Sequence, residues 1–313
     1  MPLSVSSVAL VAALSGAAHA LDGIANFRAV SPSLPGVYRS AALDRATAAD
    51  VANILDHYKI RTIIDLRNTD EIEKAQARSS DFGRALLAAY ERGDAVGSGQ
   101  PASEGGGCLR RYHVPLLSNT EGFFDEVAKR MSPARQAEAA VYRTFSGKKY
   151  DALLYDEVAR GKQFLLYTVM LATSPNWQRA LSLTADRRDG CVLFHCAQGK
   201  DRTGILAALL QHSVDESEQQ LVDGYAASEA LLLGVQQDSS LNAAAGDAAG
   251  TEQKQEGAAG VDWSALRGSP PEAMTKTLEW IRQEHGSIDG FLASVGCGDS
   301  WRQTLRTARP TLL

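Results

Sequence analysis

Cys191-Val192-Leu193-Phe194-His195-Cys196-Ala197-Gln198-Gly199-Lys200-Asp201-Arg202-Thr203-Gly204-Ile205-Leu206-Ala207-Ala208-Leu209-Leu210 is the segment from which the architecture follows. Its first four residues are a short apolar run that reads as a buried parallel strand, and its last six read as a buried helix. The polar, glycine-bearing centre therefore joins a strand end to a helix start. Backbone N–H groups at a helix N-terminus lack intrahelical partners, and when the chain curls into a concave nest they point at an anion held there. Cys196 and Arg202 stand six positions apart around that loop.

Phosphate is the natural occupant of such a nest. The field of the amides favours the thiolate of Cys196, the reactive form, standing in the loop's mouth. Arg202 can grip two oxygens of a phosphoryl group with its planar fork and neutralise charge that develops in an in-line transfer. A lysine offers no such fork. Ala197, Gln198 and Gly199 supply backbone to the nest, Lys200 adds positive charge, and the hydroxyl of Thr203 can assist the sulfur when it leaves. His195 is expected to hold the loop's backbone through a hydrogen bond rather than to move a proton.

The loop resembles the C-x5-R signature of the cysteine-dependent phosphatases. Its fuller H-C-x-x-G-K-D-R-T-G form is similar to a tyrosine phosphatase family of bacteria and fungi that also acts on phosphoinositides. The resemblance extends to Leu21–Arg28, Val37–Ala41 and Ile60–Arg67, which follow that family's opening strands in order and spacing. It continues in Asp223–Ser228 and Ala273–Gly296, which look like its helical C-terminal half. One departure is clear: where the family writes Asn-Phe-Arg-Asp-Val-Gly-Gly, this chain has Asn26-Phe27-Arg28-Ala29-Val30-Ser31-Pro32.

The resemblance implies a two-step hydrolysis through a phosphocysteine on Cys196, with no metal and no cofactor. A leaving group needs a proton. Asp201 resembles the loop aspartate to which the family's acid role is assigned, with Glu121 and Asp125 as weaker candidates and pairing with Lys200 or Arg202 as its structural alternative. Phosphotyrosyl proteins and phosphoinositides are the implied substrates, since loop lysines like Lys200 occur in phosphatases acting on phosphoinositides. A phosphoinositide-specific lipid phosphatase, a phosphate-binding pseudophosphatase and a rhodanese-like sulfurtransferase are the rival readings. A Walker-type nucleotide loop is excluded, because Phe194 stands where glycine is needed and Asp201 follows Lys200 where Ser or Thr is needed.

Composition agrees with an enzyme of this kind. The chain has 313 residues, 44% of them hydrophobic, which suffices for one large domain with helical additions. A net charge of −5 argues against a general nucleic-acid binder, so attraction for phosphate must be local. The four cysteines, Cys108, Cys191, Cys196 and Cys297, have neither zinc spacing nor the density of a disulfide scaffold, and a reducing compartment suits a catalytic thiolate. A cytoplasmic monomer is expected. Residues 1–20 form a disordered or signal-like leader, with Ala18-His19-Ala20 before Leu21, so export is the alternative. Peripheral contact with a membrane is compatible with a lipid substrate.

Alternating strand and helix patterns give residues 21–313 a three-layer α/β fold with a mainly parallel central sheet and extra helices, the cysteine-phosphatase fold that the resemblance implies. Helical spacing covers Ala46–Tyr58 with Thr47 as N-cap, and a strand follows over Arg61–Leu66. Asp65 and Arg67 end that strand at the sheet edge where ligand groups gather. They form either a strand-end ion pair or, for Asp65, a group that faces the pocket and orients Arg202 or the substrate. Arg28 and Arg39, with Arg67, read either as a basic rim or as structural arginines. A further strand is expected over Arg111–Leu116, followed by Ser118–Glu121, where related phosphatases carry an acid-bearing loop. Helices over Phe123–Arg130 and Tyr150–Val158 form a lid over the pocket or an ordinary packing layer. Asp215–Glu218 opens a helix to Leu233 with a capping-box-like start, and helices follow from Pro270-Pro271 and from Ser287. Residues 93–107 and 236–260 lack bulky apolar side chains and read as flexible inserts.

Overall fold

Five strands form one sheet: β1 (Arg28–Ala29), β2 (Val37–Ser40), β3 (Ile60–Asp65), β4 (Arg110–His113) and β5 (Cys191–His195). In the computed structural model, residues 21–76, 79, 109–117, 121–233 and 263–310 are described, and the expected leader and both expected inserts lie outside them. The strand order is β1-β2-β5-β3-β4, with β1 antiparallel to β2 and the other neighbours parallel. β5 thus occupies the centre and is buried along its whole length, which is why its sequence is a continuous apolar run rather than an alternation. Its register sets Ser40 beside His195 on one side and Asp65 beside His195 on the other. The segments that leave β2, β3 and β5 therefore emerge side by side at one sheet edge.

Side chains of β5 alternate between two cores. Val192 and Phe194 enter the larger one with Ile64, Leu66 and the buried helices, whereas Cys191 and Leu193 enter a smaller one with Ile24, Leu43, Ile54, Tyr58, Ile60 and Ile63. This is the three-layer α/β arrangement expected, with a thin layer on one face of the sheet and a thick helical layer on the other.

On the thin side, α1 (Ala48–Ala52) runs on into a π-helical turn, Asn53–His57, so the expected helix is two kinds of turn in series. Thr47 is its N-cap, in a capping box with Asp50. α2 (Thr69–Gln76) follows β3. The helical layer contains α3 (Glu121–Arg130), α4 (Pro133–Phe145), α5 (Gly147–Thr173) and α6 (Trp177–Ala185). α5 is far longer than the expected Tyr150–Val158 because two helices meet at Lys162, whose φ of 53° and ψ of −154° break the helical geometry. The helix after the loop is α7 (Asp201–Ser213), buried on every side as its unbroken apolar run requires.

α8 (Glu218–Leu233), α9 (Pro271–His285), α10 (Ile288–Ser294) and α11 (Asp299–Thr307) complete the layer. α8 corrects one expectation. Its cap is formed by Ser217 and Gln220, each bonded to the other's backbone or side chain, while Asp215 sits in a left-handed turn at φ 62° and binds Arg306. The strand expected over Arg111–Leu116 ends at His113, and the helices α2, α4, α6 and α11 have no counterpart among the expected elements. Among the described residues, no helix is long and apolar enough to cross a membrane.

Candidate active site

The loop after β5 is shaped by where its carbonyls go. Cys196 O lies 3.3 Å from His195 Nδ1, Ala197 O accepts from the Ala42 N–H at 2.9 Å, and Gln198 O accepts from Asn26 Nδ2 at 2.9 Å. Gly199 O accepts from Asn26 Nδ2 at 2.9 Å and from Arg39 Nη2 at 2.8 Å. Four consecutive carbonyls are thus tied to the surrounding scaffold. No peptide bond among the described residues is cis. In a trans peptide the N–H is antiparallel to the C=O, so the amides of Ala197, Gln198, Gly199 and Lys200 turn to the opposite, concave side. Gly199 is needed at φ 67°, and a Cβ there would stand 2.2 Å from Ser40 O.

Arg28 and Arg39 lie behind this loop, both buried, so they form no exposed basic rim. Arg28 bonds Asn26, the Gly224 carbonyl and the Ser228 hydroxyl, and neither arginine pairs with a carboxylate among the described residues. Burial pulls the pKa of Arg39 down to about 10, still leaving it charged at neutral pH. Two guanidinium groups beneath an amide nest add to its positive potential.

Arg202, at the start of α7, points both terminal nitrogens at Glu71 of α2, at 2.5 and 2.7 Å. Burial pulls the Arg202 pKa down, and the charge and hydrogen bonds of Glu71 more than reverse it, so the net shift is upward. Of the two expectations for Asp65, the strand-end ion pair is the one found and the pocket-facing role that orients Arg202 or the substrate is corrected: Asp65 binds Arg67 and Arg111, with its Oδ2 2.7 Å from Arg111 Nη2 and 2.9 Å from Arg67 Nη2, and it makes no bond to Arg202. Arg67 also bonds Asp44, which leaves this strand end an ion cluster rather than a pocket wall. His195 Nε2 lies 3.8 Å from Asp65 Oδ2, yet burial lowers the His195 pKa to about 4 and keeps the ring neutral.

Lys200 and Thr203 differ from expectation, and Asp201 departs only from its structural alternative. Lys200 Nζ donates to the carbonyls of Leu266 and Gly268 at 2.8 and 2.7 Å, so its charge is turned to backbone and not to the nest. Thr203 Oγ1 is buried with no hydrogen-bond partner among the described residues, and it does not reach the sulfur. Asp201 pairs with neither Lys200 nor Arg202; its Oδ1 accepts from the Tyr167 hydroxyl at 2.5 Å. Of the weaker acid candidates, Asp125 is half exposed and faces Arg143 across α3 and α4, and Glu121 opens α3 with its side chain outside the description.

All ten residues from His195 to Gly204 are buried, Cys196 to 1% exposure. The nucleophile was expected in an open mouth and is found under cover. Beside it, Tyr167 reaches Asp201, Tyr225 reaches Tyr167, and the Leu266 and Gly268 carbonyls receive Lys200.

A central parallel strand that feeds a cysteine-bearing amide nest at a helix start defines the class: an α/β protein organised around one strand–loop–helix unit. A family model described as the tyrosine phosphatase family matches residues 20–309, and the chain belongs to that family. It is 32% identical over 136 residues to a protein of Nostoc commune named tyrosine-protein phosphatase. That match covers 43% of this chain and 44% of the relative, so it spans less than half of either protein.

Proposed function

We propose that the chain hydrolyses phosphate monoesters in two steps, with phosphotyrosyl protein as the substrate class. In the first step Cys196 Sγ attacks phosphorus, the bond from phosphorus to the ester oxygen breaks, and Asp201 gives that oxygen its proton. In the second, water attacks the phosphocysteine, Asp201 takes the water's proton, and phosphate leaves as the thiolate is restored. The observation that carries this reading is the set of four outward-tied carbonyls, which turns four amides toward the place where phosphoryl oxygens would sit beside Cys196.

The Arg202 fork supports it in a modified form. Glu71 takes one hydrogen from each terminal nitrogen, and Nη1 also approaches Leu66 O at 3.5 Å. Nε–H and the second Nη2 hydrogen share the remaining edge of the guanidinium, and this edge is the one a phosphoryl group grips. Engagement of Lys200 by two carbonyls favours a single phosphate over a multiply phosphorylated head group. Burial of Cys196 makes an opening that admits the substrate a step that precedes chemistry.

The test is phosphate release from a phosphotyrosyl peptide in the presence of EDTA, alongside acid-quenched mass spectrometry for phosphate on Cys196. Turnover that persists in EDTA, an adduct on Cys196 and loss of turnover in Cys196→Ser are expected. Activity that disappears with EDTA and returns with a divalent metal would overturn the mechanism. Sulfur transfer from thiosulfate to cyanide without phosphate release would replace it with the sulfurtransferase reading. Phosphoinositide vesicles serve as the comparison substrate.

A further inference from the structure

Asp201 is tied into a chain of hydroxyl groups that the hydrolytic cycle as described does not use. Tyr167, five residues beyond the break in α5, donates to Asp201 Oδ1 at 2.5 Å, and the Tyr225 hydroxyl of α8 lies 2.8 Å from that of Tyr167. Both phenols are buried, Tyr167 completely, and the rings meet edge to face with centroids 6.1 Å apart. A phenol has one proton. With Tyr167 spending its proton on Asp201, Tyr225 must donate to the Tyr167 oxygen, and the chain runs in one direction, Tyr225 to Tyr167 to Asp201.

We propose that Tyr167 and Tyr225 are positioning residues for the acid–base group of the hydrolysis: Tyr167 clamps one oxygen of Asp201, which leaves Oδ2 to carry the transferable proton, and Tyr225 acts only through Tyr167. The inference rests on the phosphatase reading above. Two helices remote in sequence from the loop would thereby set both the aim of Asp201 and the pH at which it gives up its proton. Oδ2 makes no hydrogen bond within the described residues, and no lysine or arginine forms an ion pair with Asp201 there. The charged and titratable groups around the carboxyl are Arg39 from β2, Arg202 from α7 and Cys196 from the loop, with Glu229 acting on Tyr225 from α8. None of them replaces a hydroxyl donor. Burial, followed by the Asp201 charge, raises the Tyr167 pKa well above its ordinary value, so the phenol stays a donor through the working pH range.

A donor to a carboxylate stabilises the ionised form and lowers its pKa. Tyr167→Phe removes that donor. The descending alkaline limb of the pH–rate profile, and the Asp201 carboxyl signal followed by carbon NMR, are expected to move to higher pH in this variant than in the wild type. Plateau turnover should fall about tenfold as the carboxyl loses its aim. Tyr225→Phe should produce a smaller shift of the same sign. Because the chain is in series, Tyr225→Phe added to Tyr167→Phe should shift nothing further, a non-additivity that two independent packing effects would not show. Fluorotyrosine at position 167, a stronger donor that preserves the fold, should move the titration in the opposite direction.

An Asp201 titration unmoved by both Tyr167→Phe and fluorotyrosine, with only stability reduced, would overturn the inference. Independent, additive shifts from the two tyrosines would overturn the serial part. Should the wild-type protein release no phosphate from any ester, the phosphatase reading fails by itself. The NMR titration still decides whether the hydroxyl chain sets the Asp201 proton.

Discussion

Glu71 holds Arg202 by both terminal nitrogens, so the aim of the guanidinium depends on a residue that contributes nothing else to the loop. Glu71→Gln retains the shape but points an amide NH2 at a cation. We expect kcat/KM for a phosphotyrosyl peptide to fall about 10- to 100-fold, the scale set by misplacing a group near the reacting centre. Stability in urea should drop by roughly 3 kcal/mol, because one half of a buried ion pair loses its counter-charge. Steady-state kinetics and urea unfolding check both, and an unchanged kcat/KM would show that Arg202 keeps its aim without Glu71. Cys196, Arg202 and the glycine of the nest were legible from neighbouring residues alone. Glu71 and Asn26 were not, since they lie 131 and about 172 positions from their partners, and no local periodicity encodes such a pairing.

At the scale of the element, the start of α1 has a task beyond its own five residues. Asp50 Oδ1 accepts from the Asp22 N–H, and Oδ2 accepts from Gly23 and Thr47 N–H, with the carboxylate buried. These bonds anchor the segment that carries Asn26 to the nest carbonyls of Gln198 and Gly199. Asp50→Ala leaves three backbone donors unsatisfied. A loss of about 3 kcal/mol is expected by chemical denaturation, with a fall in turnover from a loosened nest. Destabilisation with full activity would mean that Asn26 holds its place without the cap. The Thr47 cap itself was readable from sequence because a cap is a matter of three or four consecutive residues. The break at Lys162 was not, since the residue spacing around Gly161-Lys162 does not mark a φ of 53° there.

For the whole molecule, the charge cluster at the sheet edge sets the response to acid. Unfolded His195 has its ordinary pKa near 6.5, and burial lowers it to about 4 in the fold. Between those values the unfolded chain binds the extra proton, so stability falls as pH falls through the window. Asp65 acts with the same sign at lower pH: burial opposes its ionisation, Arg67 and Arg111 outweigh this, and the stability it contributes is lost only once the folded carboxyl is protonated. Urea midpoints should be flat above about pH 7 and decline below it, His195 accounting for roughly 3 kcal/mol of the decline. His195→Asn, which retains a donor for the Cys196 carbonyl, should flatten the curve between those pKa values. An unaltered slope in that variant would place the acid response elsewhere.

The amino-acid sequence alone determined the strand, nest and helix around Cys196, the layered α/β architecture and the family. Each of these is written in contiguous stretches where an apolar run, a glycine and a helix start act on their near neighbours. The tertiary structure alone decided that Glu71 rather than Asp65 faces Arg202, that Lys200 turns to the Leu266 and Gly268 carbonyls, that Asp201 answers to Tyr167, and that Cys196 is covered. The reason is physical: buried polar groups must find partners wherever packing brings them, and packing joins residues that the linear chain holds far apart.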